Sequence, residues 1–112
     1  MDSMDNELML KALGEPVRLT ILQLLLQRKH CVRSLSKKLS ITEPAVSQHL
    51  KVLRESGLIY GERFGRHIHY LPNQEALDHL TSFFETLRRQ SLLLDRTTKA
   101  CNCEFRKERT QE

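Results

Sequence analysis

Between Ser40 and Leu71 the chain reads SITEPAVSQHLKVLRESGLIYGERFGRHIHYL, and a change of period inside this stretch restricts the fold more than any other feature. Val46, Leu50 and Leu53 recur at helical spacing. Thr42 precedes them as an N-cap whose hydroxyl can accept from an unpaired amide, and Pro44 falls in the first turn, where its missing N–H costs nothing. Ser56-Gly57 ends that helix. The segments 58–64 and 66–71 are then rich in β-branched and aromatic residues and meet at Phe64-Gly65-Arg66, which predicts a hairpin, with Pro72-Asn73 closing it.

Three shorter helices are expected upstream. Leu8, Met9, Ala12 and Leu13 pattern the first over 6–13, with Gly14 as its stop. Glu15-Pro16 opens the second, whose stripe is Val17, Ile21, Leu24 and Leu25 and whose end lies near Gln27. The third, over 32–39, turns Val32, Leu35 and Leu39 inward and Lys37 and Lys38 outward, with Cys31 at its entrance. From Glu75 onward Leu77, Leu80, Phe84, Leu87, Ser91 and Leu94 alternate steps of three and four, and Phe83, Leu92 and Leu93 widen the stripe. A chain of 112 residues supports one core and gains by covering that seam with a second copy. Leu77, Leu80, Phe84, Leu87 and Leu94 are therefore the expected dimer interface. The fold class is mainly α with a β-hairpin wing (α+β): a winged helix-turn-helix dimerising through terminal helices. Residues 1–98 form the DNA-binding and dimerisation domain, and 99–112 a cysteine-containing tail.

The outward side of the fourth helix carries Ser47, Gln48, Lys51 and Arg54, with Thr42 at its start. Hydroxyl and amide groups can hydrogen-bond to base edges, while the cations reach phosphate or guanine. Arg63, Arg66 and His67 at the hairpin tip add a second electrostatic anchor beside the helix. The expected partner is double-stranded operator DNA. A formal net charge of +4 permits this without demanding it, so the placement of the charges decides. A winged helix can instead serve as a protein-docking module, but this face lacks the apolar patch that docking needs. No nucleophile–base motif or phosphate-cradling glycine loop points to an enzyme. The acidic start, without the basic and apolar regions of a secretory signal, and the absence of a long apolar run lead to an expectation of a cytoplasmic protein.

The segments KALGEPVRLTILQLL from Lys11, ITEPAVSQHLKVLRESGLI from Ile41 and GRHIHYLP from Gly65 resemble, in order and spacing, the ArsR/SmtB family of transcriptional repressors. The resemblance covers about four-fifths of the chain. It implies a homodimeric repressor that leaves its operator when a metal, metalloid or other small signal binds. In the arsenic- and cadmium-responsive branch a Cys-x-Cys pair opens the third helix; here Cys31 matches the first thiol and Arg33 replaces the second. The zinc- and nickel-type sites implied by the resemblance draw paired ligands from the last helix, which offers only Asp78-His79.

Cys101-Asn102-Cys103 is the only close thiol pair. Side chains two apart on an α-helix diverge, so chelation by this pair needs irregular backbone. Joined by Cys31, the pair would form a soft three-sulfur site suited to As(III), Cd or Pb, and Zn would add a fourth donor such as His30. The alternative effector is an oxidant or persulfide acting on thiolates favoured by Lys99, Arg106 and Lys107. A tail with incidental thiols, and a Cys31 that is merely a small buried hydrophobe, are the plainer readings.

Overall fold

The computed structural model describes residues 5–97 and 101–103. The 98/99 boundary and Lys99, Arg106 and Lys107 lie outside the described residues.

Helix α1 (Asn6–Leu13) starts where the Asp5 carboxylate accepts from the Leu8 amide at 3.2 Å. It stops at Gly14, but at φ −74°, so no left-handed residue is needed there. The Arg18 guanidinium satisfies its end instead, its Nε donating to the Ala12 carbonyl at 2.7 Å. Helix α2 (Pro16–Gln27) is capped by Glu15, whose Oε1 accepts from the Arg18 amide at 2.9 Å. Helix α3 (Val32–Leu39) ends at Ser40 in the left-handed region, φ 57°, and the Ser36 hydroxyl donates to the Ile41 carbonyl to hold the turn. Helix α4 (Glu43–Glu55) begins at Thr42, whose Oγ1 accepts from the Ala45 amide at 3.2 Å. Gly57, at φ 91°, supplies the positive φ that redirects the chain after α4.

Strands β1 (Ile59–Phe64) and β2 (His67–Pro72) pair antiparallel from Ile59↔Pro72 to Phe64↔His67. Their two-residue turn is Gly65–Arg66 with Gly65 at φ 61°, the position where a hairpin of this length needs glycine. The strands are thus one residue later at each start than the sequence pattern predicts. Helix α5 (Gln74–Leu93) follows at once.

Asn73 closes the base of the hairpin with three bonds. Its backbone N–H donates to the Leu58 carbonyl at 2.8 Å, its side-chain Nδ2 donates to the Gly57 carbonyl at 2.9 Å, and its Oδ1 accepts from the Glu75 amide at 3.1 Å to cap α5.

The core is one cluster fed by every helix: Met9, Ile21, Leu35, Val46, Leu50 and Leu53, with Leu58 behind the hairpin and Ala76 and Leu80 from α5. Two expectations shift. Leu8 in α1 is exposed, and Leu22 of α2 is buried where the pattern favoured its neighbours. Among the described residues no helix is long and apolar enough to cross a membrane.

Candidate nucleic-acid interface and thiol sites

Helix α4 separates its two sides cleanly. Val46, Leu50 and Leu53 are buried, while Thr42, Ser47, Gln48, Lys51 and Arg54 are exposed on one face. That division follows from period alone, because residues three and four apart share a side. The exposed set holds three amide or hydroxyl side chains, Thr42, Ser47 and Gln48, followed by two cations, and the face is not apolar.

The wing lies beside this face. Gly61, Arg63, Ile68 and Tyr70 share its inner side, and with Arg54 of α4 they enclose a cavity of about 340 Å³. Gly61 is there because of close approach: a Cβ at this position would sit 3.0 Å from Cγ2 of Ile68. Arg66 and His67 are exposed at the tip.

On the opposite side Phe64 stacks with His69, centroids 4.7 Å apart, and the Lys29 ammonium lies 4.3 Å from the Phe64 centroid. The Tyr70 amide donates to the His30 carbonyl at 3.0 Å, extending the hairpin by one bridge onto the loop before α3. The wing is therefore fastened to the segment that carries Cys31.

His30 is buried, with Nδ1 2.9 Å from Oγ of Ser34. Burial first, then Arg28, Lys38 and His69 nearby, lowers its pKa below the ordinary histidine value. Cys31 is half-buried at the N-cap of α3. The Ser34 backbone amide favours its thiolate and lowers the pKa, against an opposing push from burial.

Cys101 and Cys103 are exposed, and the Cys103 thiol donates to the Cys101 sulfur across 3.0 Å. That bond, joined by the Cys103 amide at 3.5 Å, lowers the Cys101 pKa. Among the described residues Asn102 and Cys103 have helical backbone and Cys101 stands just before them, outside it, so the pair is not held to the divergent directions of two residues within a helix. Among the described residues no group of three or more Cys, His, Asp or Glu side chains is gathered where it could hold a metal ion. The tail pair is thus brought together, and Cys31 and His30 do not join it within one chain.

The expected interface residues fall into two groups. Leu80 is only 6% exposed and belongs to the chain's own core, with Leu77 packed against it. Phe84 and Leu87 are 51% and 44% exposed one and two turns further on. Leu94 is exposed and lies just past the end of α5, in extended backbone. His79 is exposed, and the Asp78 carboxylate accepts from the side-chain Nε2 of Gln74 at 2.9 Å.

Arg33 and Glu43 lie outside the reading face expected from the sequence. Together with Cys31, Arg66 and His67 they line a second cavity of about 390 Å³ between the starts of α3 and α4 and the wing tip. Their exposure at two helix starts was readable; their convergence was not.

Comparison with known proteins agrees with this geometry. Residues 15–60, from the α2 cap through the start of the wing, match the profile of the family described as "Bacterial regulatory protein, arsR family". A relative from Mycobacterium tuberculosis strain H37Rv, the HTH-type transcriptional repressor SmtB, is 40% identical over 72 residues, 64% of this chain and 53% of that protein. The chain therefore spans about half the length of this curated relative. Reduced HlyU from Vibrio cholerae has 31% identity and a TM-score of 0.58, covering 70% of this chain and 84% of that one. A crystal structure described as "Possible transcriptional regulator for arsenical resistance" has 28% identity and a TM-score of 0.64, covering 78% of this chain and 97% of that one.

Proposed function

The chain belongs to the ArsR family of bacterial regulatory proteins, and from that premise we propose that it is a homodimeric DNA-binding repressor released from its operator by a thiophilic metal or metalloid ion at Cys101 and Cys103. The observation that carries the DNA reading is the exposed polar and cationic face of α4, continued by Arg63, Arg66 and His67 of the wing. In this arrangement α4 lies in a major groove. The Gln48 amide reads adenine, Ser47 either base of a pair, and Lys51 and Arg54 take phosphate or guanine. The wing's cations replace condensed counterions along the adjacent backbone. A docking module would need an apolar patch where this face is polar.

Two copies join through the outer half of α5, where Phe84 and Leu87 are exposed beyond the point at which Leu80 enters the core. The dithiol supports the choice of effector. Two sulfurs 3.0 Å apart are a soft donor pair, and As(III), Cd and Pb are soft acceptors; a third sulfur comes from Cys31 of the second copy, since Cys31 of the same chain does not join the pair. The resemblance to a regulator described in connection with arsenical resistance points the same way. Zinc is less suited, because its tetrahedral sites take four donors.

The same contact favours one second reading. Two facing thiols can give up two protons and two electrons to hydrogen peroxide, forming one S–S bond and two waters, so that oxidation replaces metal binding as the signal.

The experiment is an anaerobic titration of the protein on a duplex that it selects from a randomised pool, with arsenite, cadmium, lead and zinc added in turn and release read by anisotropy. Wild type should release with a coupling free energy of roughly 1–3 kcal/mol for at least one ion. The Cys101→Ser, Cys103→Ser double variant should bind the duplex as wild type does and release nothing. Undiminished release by that variant rules out the tail as the sensor, and failure of wild type to select any duplex rules out the DNA reading.

A further inference from the structure

The cavity of about 390 Å³ lined by Cys31, Arg33, Glu43, Arg66 and His67 includes neither the tail thiols nor Ser47, Gln48, Lys51 and Arg54, and it meets the cavity beside Arg54 only through Ile68 and Tyr70. It lies where three DNA-facing elements converge: the start of α3, the start of α4 and the tip of the wing. In a helix-turn-helix the first helix crosses the sugar–phosphate backbone while the N-terminal turn of the second meets base edges. The strand leaving the groove beside Glu43 must therefore pass over this cavity. Two of its lining side chains are guanidiniums, from α3 and from the hairpin turn. Among the described residues neither has a carboxylate within ion-pair distance, although Glu43 shares the same cavity. A planar guanidinium donates two parallel hydrogen bonds to phosphate oxygens, and two of them from opposite sides fix an oxygen pair more tightly than one.

We propose that Arg33 and Arg66 form a phosphate seat for the DNA backbone, with Cys31 in its wall and Glu43 on its rim. This rests on the DNA-binding reading above and adds a residue and a discrimination to it. Arg33, which stands where the resemblance puts a second thiol, is a phosphate ligand. Glu43 opposes any phosphate that approaches without the correct register, since a like charge close by offsets part of the guanidinium attraction. The seat thus fills fully only when α4 is engaged on its bases. With a phosphate seated, the Cys31 sulfur is covered by DNA.

The test uses the full chain with Cys101→Ser and Cys103→Ser introduced, so that Cys31 is the one thiol. Iodoacetamide labelling of Cys31 should slow at least tenfold when the selected duplex is added to saturation. Arg33→Ala should weaken the selected duplex more than a mixed-sequence duplex, and on the selected duplex should lower the slope of log affinity against log salt by about 0.9 for each copy bound. Arg33→Lys should keep the slope. Glu43→Gln should tighten binding to the mixed-sequence duplex more than to the selected one. If Cys31 labels at the same rate in the complex, or the slope is unchanged in Arg33→Ala, the seat is refuted while operator binding and the repressor reading stand. Equal tightening of both duplexes by Glu43→Gln, or no change in either, refutes the discriminating rim. A wild-type protein that selects no duplex overturns both readings together. The labelling result does not depend on how well any Arg33 variant folds.

Discussion

Helices α4 and α5 are both amphipathic, yet they leave opposite kinds of surface exposed. The buried stripe of α4 is finished within the chain: Val46, Leu50 and Leu53 are all in the core, and what remains outside is polar. The stripe of α5 is only half finished. Ala76 and Leu80 are buried, and then the same stripe continues outward through the exposed Phe84 and Leu87. One helix therefore presents hydrogen-bonding groups to a polar partner, and the other presents apolar area that water does not favour. On the function proposed above, the difference separates a nucleic-acid surface from a protein surface within one small domain.

The comparison can be broken most directly through Leu50. Leu50→Ala should cost about 2–5 kcal/mol of unfolding free energy, because a fully enclosed side chain leaves a cavity. A loss below about 1 kcal/mol in urea melts would show that the α4 stripe is not closed.

Phe84→Glu with Leu87→Glu should turn the dimer into a monomer while the helical circular-dichroism signal is retained, because neither side chain belongs to the core. Sedimentation that still shows a dimer would place the interface elsewhere and make the two helices equivalent. Leu80 is the wrong residue for this experiment, since charging it attacks the core as well.

Smaller effects sharpen the α4 side. Thr42→Ala removes the hydroxyl that accepts from Ala45 and should cost about 0.5–2 kcal/mol, read from the urea midpoint. Cost near zero would mean that another group takes over the cap.

The smallest effect is a pH dependence from His30. Its folded pKa lies below the usual 6.5, so between the two values the unfolded chain holds the extra proton. The stability this residue lends is intact above about pH 6.5 and is lost as pH falls from there through the folded value. Urea midpoints at pH 7.5 and 5.5 should differ less in His30→Gln than in wild type; an equal drop would assign the effect to other groups.

What could be read from the sequence depended on the range of the interaction that decides it. The limits of α4 were legible because their causes are local: Thr42 at one end, Gly57 at the other and a three-four repeat between. The wing's turn was legible from Gly65 for the same reason. The end of α1 was only half legible, since Gly14 marks the place but Arg18, folding back from the next helix, satisfies the carbonyls. Ser40 adopts a left-handed conformation with no glycine to announce it.

The seam of α5 shows a different limit. Periodicity marks which residues seek burial but not against what, so Leu80 and Leu87 look alike in sequence and differ in space. Arg33 was visible only as a missing thiol, because its nearness to Arg66 depends on a hairpin more than thirty positions later in the chain. The facing of Cys101 and Cys103 depends on Cys101 standing just before helical backbone at Asn102, a boundary that residue types alone do not specify.

Asn73 turns two of these parts into one lever. Its bonds to Gly57 and Leu58 clamp it to the exit of α4, and its cap on Glu75 fixes the direction in which α5 leaves. At about 1.5 Å per residue the 20 residues of α5 make an arm of roughly 30 Å, so a tilt of about 5° at the pivot sweeps the far end through roughly 2.6 Å. Run in reverse, the gearing is steep: a displacement of that size imposed at the far end reaches the clamp as a few degrees of rotation with large mechanical advantage. The clamp joins the root of the wing and the last turn of α4, so on the proposed reading a rotation there is shared by both parts of the DNA-facing surface.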